Sequence, residues 1–175
     1  MTPDQLSELS RFPAFPETAR TLVRVAGYEA AAKLIARWPG QEPPVPSRRS
    51  IESGRARQVF DRLVDVIGEV AAWLIVDEFG GSELQIPNCK AVVYQHAQEI
   101  IRIKFDEMTT KGGWSYPAAV FELGIEFNLA RRSVERILKR PGTGISVEAP
   151  RPRKQRIGSD RSARAKFEEQ QGSLF

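Results

Sequence analysis

The chain has 175 residues, 41% of them hydrophobic and 27% charged, with a formal net charge of +4: enough apolar material for one or two small domains with a modest core. One cysteine, Cys89, excludes an internal disulfide and a cysteine-clustered zinc site, and one histidine, His96, leaves nothing to complete a metal constellation, so both read as packing or surface residues and no metal or cofactor is expected. No apolar run approaches membrane-spanning length, and Met1 to Arg11 carries Asp4 and Glu8 where a secretory signal has basic residues, so a cytoplasmic protein without membrane association is expected.

The first predicted unit runs from Leu22 to Arg49. A helix is interrupted at Gly27, resumes, and is ended by Pro39-Gly40; an extended, proline-rich exit, Pro43-Pro44-Val45-Pro46, follows. Leu63 to Lys90 repeats this pattern without a gap at an offset of 41 residues. Leu22/Leu63, Gly27/Gly68, Ala30/Ala71, Ala31/Ala72, Gly40/Gly81 and Pro46/Pro87 are among the identical pairs, and Trp38/Phe79 and Val45/Ile86 keep their chemistry. A period of this kind points to duplication. In the second unit Gly80-Gly81 breaks the helix, and Leu84 and Ile86 alternate with polar neighbours before Pro87, which predicts a short half-buried strand over Ser82 to Pro87. Two helical hairpins of this size bury enough apolar surface only by packing on each other as a small four-helix bundle. Between the units, Ser47 to Arg57 carries Arg48, Arg49, Arg55 and Arg57 with serines and Gly54, and reads as an exposed basic linker.

From Ala91 the pattern changes. Val92, Val93, Ala97, Ile100, Ile101, Ile103 and Phe105 predict a long amphipathic helix, ended by a flexible turn at Thr109-Thr110-Lys111-Gly112-Gly113. Ser115 then offers a cap, and Tyr116 and Pro117 open a helix through Phe127. Counted from Val120, the chain meets the helix-turn-helix requirements: Gly124 fifth, to let the second helix approach; Asn128 ninth, to take a positive φ in the turn; and Leu123, Phe127, Leu129, Val134 and Ile137 at the apolar places. Arg131, Arg132, Glu135, Arg136, Lys139 and Arg140 are left facing outward, and five of these six are basic, as a helix lying between phosphate walls requires. The expected DNA-contacting set is Arg131, Arg132, Ser133, Glu135, Arg136, Lys139 and Arg140. In it Arg131, Arg132 and Arg136 suit guanine or phosphate, Glu135 suits cytosine N4, and Lys139 and Arg140 suit phosphate. Beyond Pro141, glycine, proline, serine and basic residues predict a disordered tail.

The run Phe79-Gly80-Gly81 through Leu84-Gln85-Ile86-Pro87, the long helix containing Ile100-Ile101, and the helix-turn-helix from Leu123 to Leu138 together resemble the Mor/C family of Mu-like phage transcription activators, over about Val59 to Arg140. The resemblance implies a homodimer whose N-terminal helices dimerise and whose C-terminal helix-turn-helix binds a dyad site on double-stranded DNA and recruits host RNA polymerase. It places the dimerisation helices at Val59 to Phe79, the strand at Ser82 to Pro87 and the recognition helix at Arg131 to Arg140. The earlier unit, Leu22 to Arg49, departs from that pattern, having no helix-turn-helix of its own; this suggests a pseudo-dimer in which the first unit takes a partner subunit's place. The last residues, Gln171, Gly172, Ser173, Leu174 and Phe175, are similar to the peptide that docks bacterial proteins on the replicative sliding clamp, with Gly172 where leucine is usual.

The expected fold is therefore mainly α: tandem helical-hairpin repeats in 1–50 and 51–90, the second with a short strand, a helix-turn-helix domain in 91–140 and a disordered basic tail in 141–175. The expected function is sequence-specific DNA binding by a transcriptional regulator of phage or prophage type. The alternatives are a replication adaptor docking on the sliding clamp through Gln171, Ser173, Leu174 and Phe175, and a helical interaction module without DNA. No paired carboxylates in a plausible cleft, no phosphate-binding glycine loop after a strand and no nucleophile beside a base argue for catalysis, so an enzyme is not expected.

Overall fold

A computed structural model describes residues 1–52, 54–145 and 147. Among them the chain is mainly helical: α1 (Pro3–Leu9), α2 (Glu17–Arg37), α3 (Gly54–Ile67), α4 (Glu69–Phe79), α5 (Lys90–Asp106), α6 (Tyr116–Glu126) and α7 (Arg131–Lys139). No helix among the described residues is long and apolar enough to cross a membrane. The short α1 is held by a capping box: Thr2 Oγ1 accepts from Gln5 N–H while Thr2 N–H donates to Gln5 Oε1, and Pro3 stands at a first-turn position where its missing N–H costs nothing.

Helix α2 breaks at Gly27, where φ and ψ are 81° and 168°. Gly68, 41 residues on, separates α3 from α4 with φ 84° and ψ 161°. Both positive φ values lie in backbone territory that only glycine enters cheaply, so the two breaks are written into the sequence. The two halves of α2, together with α3 and α4, pack around one core that contains Leu22, Ala31, Leu34, Phe60, Leu63, Ala72 and Ile75. Burying each of the larger of these side chains contributes about 1.5–3 kcal/mol.

The segments that follow α2 and α4 run antiparallel. Gly40 N–H donates to Ile86 O at 2.9 Å, Gly81 N–H to Val45 O at 2.9 Å, Val45 N–H to Ser82 O at 2.8 Å, Ile86 N–H to Gln41 O at 3.0 Å and Leu84 N–H to Pro43 O at 2.9 Å. The strand expected over Ser82 to Pro87 is not formed: a single antiparallel bridge, Pro44 to Glu83, is the only β-pairing among the described residues. Pro43, Pro44 and Pro46 on the facing segment have no N–H, so a continuous ladder cannot close.

Three further expectations need correction. The segment Ser47 to Arg57 is largely exposed, as expected, but is not linker throughout, because Arg48–Ser50 form a 3-10 turn, Ile51 is buried and α3 already begins at Gly54. Arg48 is engaged there, 2.7 Å from Asp77 and over the Trp73 ring, and Arg57 lies 2.9 Å from Asp61. The turn after α5 is not open either: Glu107–Lys111 continue the helix with wider π-type turns before Gly112 and Gly113 release it. Finally, the stretch from Pro141 does not leave the body at once. Thr143 bonds to α5, while Ile145 and Val147 pack on the main core.

Helix α5 joins two cores. Val92 and Ile100 belong to the main one, with Leu6, Phe12 and Phe15 from the N-terminal segment; Ile101 belongs to a second, formed with Val120, Leu123, Val134 and Ile137 of α6 and α7. Cys89 and His96 are packing residues as read: Cys89 is buried ahead of α5, where burial pushes its thiol pKa up, and His96 meets Phe12 edge-to-face at 5.5 Å.

Candidate nucleic-acid interface

The second core fixes how α7 sits. Val134 and Ile137, three residues apart on α7, are buried against Val120 and Leu123 of α6 and Ile101 of α5, with Phe105, Met108, Leu129 and Leu138 closing the edges. The connection between α6 and α7 is a tight turn. Asn128 takes a φ of 51°, the left-handed conformation that asparagine tolerates better than most residues, and Leu129 N–H donates to Gly124 O at 2.8 Å. A Cβ on Gly124 would stand 3.0 Å from Leu129 O. The small residue therefore makes room for the turn's own carbonyl; the approach is not to the body of α7, as the pattern alone suggested.

With Val134 and Ile137 inward, Arg131, Arg132, Arg136, Lys139 and Arg140 are all exposed. Ser133 is half-buried. Glu135 is half-buried as well and lies 2.8 Å from Arg131 Nε, so its carboxylate is already engaged by a cation one helical turn away. Arg131 remains 69% exposed in that pair, and an ion pair of this kind contributes less than about 1 kcal/mol, so an incoming phosphate competes with it readily. The helix thus offers a row of cations on a rigid frame, anchored by two buried aliphatic side chains.

The far end of α7 is tied down by groups that the sequence pattern did not reveal. Arg102 Nη2 of α5 donates to Ile137 O at 3.0 Å, an oxygen of the last turn that also accepts the Arg140 N–H at 3.2 Å. Arg102 Nη1 lies 3.1 Å from Glu99 Oε1, and the same oxygen accepts the Thr143 N–H at 2.6 Å. Glu99 is the one buried charged residue among those described. Burial works to raise its pKa, but the Thr143 hydrogen bonds and the Arg102 charge outweigh it and hold the carboxyl below its ordinary value. These contacts join residues 35 and 44 positions apart, so no local spacing announces them.

A second feature lies on the outer face of α6. Phe121 and Ile125, one turn apart, are 67% and 62% exposed, and Trp114 ahead of the helix and Tyr116 at its first position are also exposed. Their spacing was visible in the sequence as apolar residues that the helix-turn-helix core does not use. Gln171, Ser173, Leu174 and Phe175 lie outside the described residues. No group of metal-ligating side chains occurs among the described residues. No family profile, no curated protein and no solved structure matches the chain.

Proposed function

We propose that this protein is a sequence-specific DNA-binding transcriptional regulator, with α6, the Asn128 turn and α7 as its helix-turn-helix and the units 22–49 and 63–90 as a duplicated helical body. The observation that carries the reading is the pairing of a left-handed Asn128 turn with a second helix whose buried face is Val134 and Ile137 and whose exposed residues include four cations, with Arg140 exposed just past its end. In this reading α7 enters the major groove; Arg131, Arg132 and Arg136 meet guanine edges or phosphates, while Lys139 and Arg140 hold phosphate near the helix end. Glu135 tunes Arg131 before it reads any base, because the two are already in contact. The resemblance to the Mor/C activators supports a phage or prophage setting and proposes host RNA polymerase as a partner.

The test is binding to random-sequence duplex DNA across a salt series. It compares the intact chain, a chain ending at Val147 and the Arg131→Ala/Arg132→Ala/Arg136→Ala variant. The reading expects the triple variant to bind more weakly and to lose about 2–3 from the salt slope. Loss of binding only on removal of the tail would make the contact nonspecific.

One observation favours a second reading, a helical interaction module: the exposed pair Phe121 and Ile125 is apolar surface that DNA contact does not need. An unchanged salt slope in the triple variant, with α7 folded, would move the function to that face. The clamp-docking reading for Gln171, Ser173, Leu174 and Phe175 would stand or fall on clamp binding by a chain lacking Leu174 and Phe175.

A further inference from the structure

The hydrogen bonds that join the exits of α2 and α4 come in reciprocal pairs. Gly40 and Gly81 are matched positions at the 41-residue offset, as are Val45 and Ile86, and Gln41 and Ser82. Gly40 donates to Ile86 and Gly81 donates to Val45; Val45 donates to Ser82 and Ile86 donates to Gln41. Each pair is one bond seen from the two sides of a two-fold axis. That axis passes between Pro43 and Leu84, themselves matched: Leu84 N–H reaches Pro43 O, and the reciprocal bond is missing because proline has no N–H. The clefts beside the pairing follow the same symmetry. A cavity of about 710 Å³ is lined by Trp38, Glu42 and Leu63, and a smaller one of about 270 Å³ by their counterparts Phe79, Glu83 and Leu22. The likeness stops where the exits end. At Lys90 the chain enters α5 and goes on to α7, whereas at the matched Arg49 it makes the Arg48–Ser50 turn and enters α3.

An isologous two-fold contact between like units is how two copies of one chain ordinarily pair. Here both sides lie in a single chain, and every N–H that the pairing can use on the axis is already spent within it. We infer that the protein is a self-closed pseudo-dimer carrying one reading head, and that its DNA target is a single half-site without dyad symmetry. This rests on the DNA-binding reading of α7 proposed above. A symmetric dimer presents two recognition helices a fixed distance apart and selects inverted repeats; one helix on a closed body has no second helix to space.

The experiment has three arms on the intact chain: sedimentation equilibrium, well below the roughly millimolar effective concentration of tethered segments; hydrogen exchange at the Gly40, Val45, Gly81, Leu84 and Ile86 amides; and selection of bound sequences from random duplex DNA, followed by titration of the selected site. The inference expects a monomer whose five amides are protected at every concentration, a selected site without inverted symmetry and one protein per site. An inverted repeat bound cooperatively by two chains, or amide protection that appears only with dimer formation, overturns it while leaving DNA binding intact. A monomer with protected amides that enriches no DNA removes the DNA reading and with it the half-site, and leaves the self-closed pairing established.

Discussion

Asn128 and Gly124 are required for different reasons, and substitutions separate them. At Asn128 the demand is on φ, 51° in the turn. Asn128→Val forces a β-branched residue into left-handed backbone and is expected to cost about 1–2 kcal/mol, whereas Asn128→Gly is tolerated; urea denaturation midpoints read the difference. At Gly124 the demand is on space, since a side chain would press on Leu129 O, and Gly124→Val is expected to lose about 1–3 kcal/mol with the turn distorted. Glu99 sets a pH dependence. Its carboxyl is held below the ordinary value in the folded chain, so its contribution is complete above the unfolded-state pKa and drains away as pH falls through the lower folded one. Glu99→Gln is expected to cost about 1.5–3 kcal/mol at neutral pH and to flatten the acid limb of the stability profile, measured by denaturation at a series of pH values.

At the level of elements, α7 carries the functional argument, and Glu135 is its one acidic group. Removing that charge frees Arg131 and deletes a repulsion toward phosphate. Glu135→Gln is therefore expected to tighten binding to random DNA severalfold at low salt, with the gain shrinking as salt rises, in a fluorescence anisotropy titration. Much of this element was legible in the sequence: the apolar places at Leu123, Val134 and Ile137, the turn residue Asn128 and the basic remainder follow from a local period, and local periods survive into structure. The breaks at Gly27 and Gly68 were legible for the same reason. What failed depended on partners far along the chain. Ser82 to Pro87 alternates like a strand, but whether it becomes one was decided by three prolines on the segment opposite. The basic run from Ser47 is exposed as it read, but its Arg48 contacts could not be foreseen, because nothing local shows that Asp77 and Trp73 wait for that side chain. The Glu99, Arg102 and Thr143 contacts were invisible for the same reason.

Across the whole molecule, α5 is the member through which the helical body and the α6–α7 pair communicate, because it contributes to both cores and its Arg102 and Glu99 hold the end of α7 and the strap that follows. Thr143, Ile145 and Val147 of the strap are part of the fold, so removing them is not a neutral way to remove the tail. A chain ending at Arg140 is expected to be about 2–3 kcal/mol less stable than one ending at Val147, from the loss of Ile145 and Val147 packing, as thermal or chemical denaturation would show. Effects on DNA affinity seen with the shorter chain would mix reading and unfolding.

The prolines of the first exit also act on encounters between molecules. An extended segment with free N–H and C=O groups is a template on which another chain can add, and most proteins blunt such edges. Pro43, Pro44 and Pro46 leave this segment able to receive hydrogen bonds but nearly unable to give them, so two such segments from different molecules have little to offer each other. The Gly81, Leu84 and Ile86 N–H groups of the other exit find their acceptors on the proline side and hold them from the moment the chain closes. The same three residues that stop the pairing from growing into a sheet therefore guard the molecule against stacking edge to edge with its own copies when it is concentrated.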